Sequence, residues 1–546
     1  MSMSHHDNEG PYLLGIDYGT ESVRAGVFDV TGRPLAFAAT PYRLVHPQPG
    51  WAEQDPDEWW SSLIQSVHKA MERAHIWPEA IAGISYDCTT CTVVALDSSD
   101  RLLRPAIMWM DVRAADQARR IAESNHSARK YNGGGPVSAE WYPCKALWLK
   151  EQEPDTYRQA AHIVEATDWL TFRLTGRWTA SINTASLRAY YDRDAGGWPT
   201  SFYEEIGLGD VFEKLPSEVL DLGVPVAGLS KQAAEELGLK EGTPVAQGVA
   251  DAWAAQIGLN VVEPGKMALI TGSSHVLTGQ SDHSISGKGF FGAYTDAVVP
   301  GQYTVEGGQV STGSVMKWFR DNFCKDVLVE AERLEGSAYE LLNEQSSGLL
   351  PGADGLIVLD YWQGNRTPYV DPEARGMMWG FSLHHTRAHV YRAIQEGICY
   401  GVAHNLRAMH AAGFDVHQFV ACGGATKSRE WMQIHADVTG VPITLTEVGD
   451  AATLGSAVLA AVGAGIYSNI QEAGKVMVHE TEVVTPDQSR HEEYQFYVDA
   501  YIDTYSRMQE LVHAVTRRVG ERSVKLEPQS EAPVPLVAVD VHNKEE

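Results

Sequence analysis

Two short patterns with the same spacing constrain the fold of this chain more than any other feature. Gly19, Val23, Gly26 and Asp29 stand at offsets 0, 4, 7 and 10, and Gly272, Val276, Gly279 and Asp282 repeat those offsets 253 positions later. Each set follows an apolar run that reads as a buried strand, Leu13 to Ile16 and Met267 to Ile270. The repeat describes two similar strand–turn–strand units, and so two domains of like construction, each giving one hairpin to a shared cleft. The competing reading is a chance match over a short window. The 546 residues give room for more than one core. Strand-like and helix-like segments alternate, which argues for an α/β class. A turn signal at Pro264-Gly265 places the division near Leu259 to Gly265. The expected domains are 11–259 and 260–515, with the polar, weakly patterned residues 1–10 and 520–546 as mobile tails.

Some elements announce themselves. Asp55-Pro56 starts a helix over Asp57 to Ala74, Phe419 to Cys422 reads as a strand running into Gly423-Gly424, and Arg429 to Thr439 reads as a helix. Leu454 to Val462 is a helix of small residues that must pack closely. Composition removes several function classes. Lys and Arg number 43 against 71 Asp and Glu, a net charge of −28, so the surface repels nucleic acid and anionic membranes. No apolar run approaches the roughly 18–20 residues that span a bilayer. Six cysteines are too few for a disulfide scaffold and fit a reducing cytoplasm. Cys88 and Cys91 form a Cys-x-x-Cys without a second ligand pair, and read as ordinary buried thiols rather than a redox or zinc site.

The chemistry-bearing residues cluster around the two turns. After the first strand, Gly19 lets the chain approach a ligand, Thr20 and Ser22 add hydroxyl donors, and Arg24 adds positive charge, a set able to hold a triphosphate. Asp17 cannot hold phosphate, but it can hold Mg²⁺, often through water. The second turn, Thr271-Gly272-Ser273-Ser274, repeats the donors without the carboxylate. The other reading of either turn is a plain hairpin with glycine in it. Asp251, after Gly248, is either a base for a hydroxyl attacking phosphorus or a helix-capping aspartate. Gly423-Gly424 ahead of a helix is either a nucleotide contact or a loop.

Gly15-Ile16-Asp17-Tyr18-Gly19-Thr20, Trp109-Met110-Asp111-Val112-Arg113, Gly248-Val249-Ala250-Asp251, Thr271-Gly272-Ser273-Ser274 and Glu306-Gly307-Gly308-Gln309 occur in that order. Gly364-Asn365-Arg366-Thr367-Pro368, Gly423-Gly424-Ala425-Thr426 and Asp450-Ala451-Ala452-Thr453-Leu454-Gly455-Ser456-Ala457 follow. The ordered set, over about residues 11–510, resembles the FGGY carbohydrate kinases, and within them the ribulokinase branch. The resemblance implies two actin-like (ribonuclease H-like) domains flanking a nucleotide cleft, ATP and Mg²⁺ as cofactors, and a small sugar or polyol as partner. A homodimer is a family expectation. It implies that Asp251 is the catalytic base and that Asp17, Gly19, Thr20, Ser22, Arg24, Thr271, Gly272, Ser273 and Ser274 surround the ATP phosphates. Gly313, Lys317, Gly424, Ala425 and Ser428 fall at the nucleotide, Thr90, Trp109, Arg188, Asp251 and Glu306 at the sugar, and Asp17 and Asp251 near the metal, through water.

The chain departs from that branch where ribulokinases usually have Lys and this sequence has Arg188, a longer, planar, forked cation. The loop Asp87 to Thr92 is also rich in Thr and Cys. The expected reaction is phosphorylation of a primary hydroxyl of ribulose. The alternatives are another ketopentose such as xylulose, an acyclic polyol such as ribitol or erythritol, or a non-catalytic ATP-binding module. Simpler roles stay open at the sugar residues: Arg188 pairing with Asp192, Glu306 capping the turn at Gly307-Gly308, and Trp109 as plain core.

Overall fold

The segment Tyr12-Leu13-Leu14-Gly15-Ile16 is apolar on both faces, as a strand covered on both sides of a sheet must be. In the computed structural model, which describes residues 10–132 and 136–525, it forms β1 (Tyr12–Tyr18), with Leu13, Leu14 and Ile16 fully buried. β1 turns into β2 (Ser22–Asp29), which pairs antiparallel with β3 (Pro34–Pro41). On its other side β1 runs parallel to β4 (Ile81–Cys88), with Asp17 opposite Asp87. Beyond β4 come β6 (Pro244–Ala246), parallel to it, and β5 (Pro225–Gly228), antiparallel to β6; short β7 (Val249–Ala250) pairs with the end of β4.

The second sheet repeats this strand by strand. β8 (Lys266–Thr271) and β9 (His275–Ser281) form its hairpin, and β9 pairs antiparallel with β11 (Tyr303–Gln309), which carries β10 (Phe291–Thr295) outside it. β8 runs parallel to β12 (Gln418–Gly423), β12 parallel to β13 (Ile443–Thr446), and β14 (Glu480–Val484) closes antiparallel to β13. Both sheets thus share an antiparallel meander of three strands, then two parallel strands, then one antiparallel, with β10 as an extra antiparallel edge strand in the second. The repeated glycine spacing marks the equivalent hairpins of two like sheets, and the α/β expectation holds.

Helices cover the sheets. α1 (Pro56–Ala74) starts at Asp55, whose side chain accepts the Asp57 N–H, and buries Trp59, Leu63, Val67 and Ala70 on one stripe against β2 and β3. The helices that matter for the site are α2 (Ile182–Arg188), α3 (Asp251–Gly258), α4 (Gly313–Phe323), α5 (Arg387–Ala411), α6 (Arg429–Thr439) and α7 (Ala451–Gly463). The last, α8 (Gln488–Lys525), carries residues 520–525, where the sequence pattern predicts the start of a tail. A formed helix extends at little cost beyond its packed face. The rest of that tail and residues 1–9 lie outside the described residues. Among those described, no helix is long and apolar enough to cross a membrane.

α7 joins two strands of the second sheet yet lies on the first. A Cβ added at Gly15 would fall 2.2 Å from the Thr453 carbonyl oxygen, and one at Gly83 2.6 Å from that of Ala460. α7 also crosses α3 backbone to backbone: a Cβ on Gly455 would lie 1.9 Å from the Ala254 carbonyl oxygen, and one on Gly258 1.9 Å from that of Ala451. The small residues of α7 are therefore demanded by two contacts at once. Gly455→Ala should lower stability by about 1–3 kcal/mol, since the extra methyl must push two helices apart. A thermal melt checks this, and an unchanged midpoint would mean that the helices are not in backbone contact.

Candidate active site

The turn between β1 and β2 is braced from three sides. Gly19 N–H donates to the Ser22 carbonyl at 3.1 Å, the Tyr42 hydroxyl donates to the Gly19 carbonyl, and Gln54 Nε2 donates to the Thr20 carbonyl at 2.7 Å. Trp109 Nε1 donates to Thr20 Oγ1 at 3.0 Å, so Trp109 is tied to the turn rather than being plain core. Its loop is held by the fully buried Asp111–Arg113 pair at 2.7 Å, which explains that motif.

Four carboxylates converge at the head of the turn. Burial, and then the charge of Asp450, push the Asp17 carboxyl up to about 6, while Arg24 pulls the other way. Asp87, opposite Asp17 in the sheet, is fully buried, accepts from Ser456 Oγ at 2.7 Å, and is pushed well above the carboxylate range by burial and the Asp17 charge. Asp251 opens α3, and its Oδ1 accepts the Ala252 N–H at 2.7 Å; burial raises it to about 7, with a smaller push from Asp17. Asp450 is the N-cap residue of α7. Arg24 lies 2.5 Å from Asp450 and 3.8 Å from Asp17, so its charge serves this cluster before it serves a phosphate.

Asp450 also links the two halves. Its charge, after burial, helps hold the Cys422 thiol up at about 12, and Cys422 lies on β12 beside Ile270 of β8. At the second turn, Gly272 and Ser273 are exposed and Ser274 half-buried, so these three keep free faces. Thr271 does not: its hydroxyl donates to the Cys422 carbonyl at 2.6 Å and accepts the Ala425 N–H at 3.1 Å, fixing the Gly423-Gly424 loop. Gly423 has φ +93°, and a Cβ there would lie 1.9 Å from the Thr271 carbonyl oxygen. α4 begins against the same turn, Gly313 N–H donating to the Gly272 carbonyl at 3.2 Å. Lys317, further along α4, pairs with Asp321 at 2.5 Å, and the Ser428 hydroxyl caps α6 while accepting from Asn343 Nδ2 at 3.2 Å. Both side chains are thus already engaged within their own neighbourhoods.

Arg188 does not pair with Asp192. Its Nη2 donates to both oxygens of Glu306, at 2.7 and 2.5 Å, and its Nη1 to the Tyr294 hydroxyl at 2.7 Å. Glu306 lies within β11, so it is no turn cap. The guanidinium is boxed by the rings of Trp141, Trp253, Phe291 and Tyr294, 5.4–5.9 Å from its carbon. Burial opposes the charge, but Glu306 and then Tyr294 outweigh it and keep Arg188 protonated. The pair ties α2 of the first half to β11 of the second. Thr90, half-buried after β4, has its Oγ1 3.8 Å from the Cys91 sulfur. Cys88 and Cys91 are buried free thiols, with Cys91 raised to about 12 by burial and then Glu165.

Other positioning residues had no sequence signal. Lys145, fully buried, donates to the carbonyls of Cys91 and Met108 at 2.6 Å and of Trp109 at 3.2 Å, binding the Thr90 and Trp109 loops together. Asn183 accepts the Ala250 N–H at 3.1 Å, so α2 holds the approach to Asp251 with one end and presents Arg188 with the other. Asp450 opens the last of the ordered sequence motifs, which leaves its role open; its counterpart is Asp251, since each follows the first residue of its strand, β13 or β6, by seven positions and heads a helix.

Residues 12–258 match the N-terminal domain, and residues 267–464 the C-terminal domain, of the FGGY family of carbohydrate kinases. A ribulokinase of Anoxybacillus flavithermus is 32% identical over 502 residues, covering 85% of this chain and 89% of that protein. An FGGY carbohydrate kinase domain-containing protein of Xenopus laevis is 32% identical over 538 residues, covering 91% and 96%. The crystal structure of a xylulose kinase from Rhodospirillum rubrum superposes with a TM-score of 0.81 at 27% identity, covering 92% of this chain and all of that one.

Proposed function

Because the chain belongs to the FGGY family of carbohydrate kinases and is an ATP-dependent sugar kinase, we propose that it phosphorylates a primary hydroxyl of ribulose, with Asp251 as general base. The observation that carries the reading is Asp251 itself. A half-buried carboxylate raised to about 7 is half ionised near neutrality, where a base is most effective. The Asp251 carboxylate takes the proton of the attacking hydroxyl, while Gly19, Thr20, Ser22, Gly272, Ser273 and Ser274 offer N–H and hydroxyl donors to the phosphates. Gly313, Gly424 and Ala425 border the nucleotide, with Lys317 and Ser428 beside them.

The cluster of Asp17, Asp87, Asp251 and Asp450 is a hard-oxygen set with more negative charge than Arg24 offsets, which fits Mg²⁺. Asp17 and Asp251 would hold the ion through water, and bound Mg²⁺ would neutralise phosphate charge. Thr90, Trp109, Arg188 and Glu306 line the sugar side. Since Glu306 and Tyr294 already engage Arg188, the far end of that pocket offers few free donors. This favours a shorter acyclic polyol such as erythritol as the second candidate.

Measuring ADP release with Mg-ATP across ribulose, xylulose, ribitol and erythritol tests the reading; ribulose should give the highest kcat/KM. The pH profile is a second test. The raised Asp251 carboxyl is protonated below its value and cannot then accept a proton, so kcat/KM should fall roughly tenfold per pH unit below about 7. A flat profile there would remove Asp251 from the role of base.

A further inference from the structure

Away from these residues, one group of side chains has the donors and spacing of a metal centre. Asp354, His384 and His389 bring a carboxylate oxygen and two imidazole nitrogens within 4.8 Å of one another. Asp354 Oδ2 lies 3.2 Å from Nε2 of His384 and 3.2 Å from Nε2 of His389. Asp354 comes from the short helical turn Ala353–Gly355, and the histidines from the loop before α5 and its first turn. We propose that Asp354 Oδ2, His384 Nε2 and His389 Nε2 form a binding site for a divalent transition-metal ion, zinc foremost.

The spacing suits one ion. Ligand atoms 2.0–2.2 Å from a tetrahedral zinc lie about 3.3–3.5 Å apart, close to the two Asp354–histidine separations of 3.2 Å. The donor set selects the class: two imidazoles and one carboxylate suit zinc, nickel or copper, whereas magnesium and calcium want oxygen throughout. The exposed His384 ring leaves one side open for water to complete four-coordination.

The surroundings orient the ligands. His385 is not a ligand: its Nδ1 accepts the Ser382 N–H at 2.8 Å, and its Nε2 donates to the Asp354 carbonyl at 3.1 Å. It therefore pins the turn carrying Asp354 to the loop carrying His384. From the other side, Gly352 N–H donates to the buried Glu396 carboxylate at 3.1 Å. His389 is buried, with Nδ1 2.9 Å from Thr386 Oγ1. An ion on Nε2 places the ring proton on Nδ1, where the Thr386 hydroxyl accepts it, the outer contact that metal-bound histidines use. The Thr386 backbone N–H, 3.1 Å from Nδ1, gives up that acceptor. Zinc here clips the turn before the strand Ile357–Leu359 to the start of α5.

The alternative is a plain histidine–aspartate cluster with no affinity for metal. Calorimetric titration of the full chain with zinc chloride, in chelator-treated buffer, separates the two. His384→Ala removes an exposed ring, and Asp354→Asn keeps a residue that tolerates the φ of +54° found there, so both variants fold. Wild type should bind about one zinc per chain that each variant loses, with affinity down at least about 100-fold. Cobalt in its place should give visible absorption in wild type only, and sugar phosphorylation with Mg-ATP should be unchanged in both variants. Wild type that takes up no more zinc than His384→Ala, or shows the same cobalt spectrum, overturns the proposal.

Discussion

Asp251→Asn should leave a protein that folds and binds nucleotide and sugar, and that turns over about 10²–10⁴ times more slowly, the usual contribution of a positioned base. Asparagine keeps the oxygen that accepts the Ala252 N–H at 2.7 Å, so the head of α3 is preserved. Stability should not fall. The folded-state carboxyl is raised to about 7, above its unfolded value, so ionisation at higher pH works against folding and the neutral amide removes that penalty. The measurements are kcat with saturating substrates, sugar affinity by calorimetry and a thermal melt at pH 8. A variant that keeps kcat within a few-fold of wild type would show that proton removal does not pass through Asp251.

The second large effect lies at the buried ion pair. Arg188→Met should cost about 3–5 kcal/mol, because Glu306 is left charged and buried among aromatic rings without its partner. Glu306→Leu alone should cost a similar amount for the converse reason. The double variant should regain most of the loss, since two apolar residues of similar volume replace the pair without an orphaned charge. Chemical denaturation of the four proteins gives the coupling directly. Additive losses would mean that the side chains do not meet in solution. If the pair walls the proposed sugar site, sugar KM should rise in every one of these variants, because the pair joins α2 to β11.

Local chemistry is legible in the residues, and long-range pairing is not. The turns at Gly19 and Gly272 stand out because a hairpin has a short, fixed glycine spacing. The close packing of α7 stands out because small side chains reach a neighbour only when the backbones themselves come close. The partner of Arg188 does not stand out: Asp192 is four residues away and Glu306 is 118, and only the pairing of β11 in the second sheet brings Glu306 near. α5 leaves no periodic signal, since every residue from Tyr391 to Ala403 is buried and no stripe separates a wet face from a dry one. Lys145 looks like any helical lysine until the carbonyls of Cys91, Met108 and Trp109 are seen to meet at it. Thr271 reads as a phosphate donor from its position after a strand, yet the loop it braces lies about 150 residues away along the chain.

Where α3 meets α7, main chain touches main chain with no side chains between to deform. Such a seam resists sliding and permits pivoting, so opening and closing should be a swing about the seam. Asp251 and Asp450 head the two helices and sit near the axle, where displacement is least. The acids would then keep their mutual spacing while the lips part to admit substrate. Distances between paired spin labels, one set at the helix heads and one at exposed positions of the two halves remote from the seam, would reveal that contrast as a narrow distribution against a broad one.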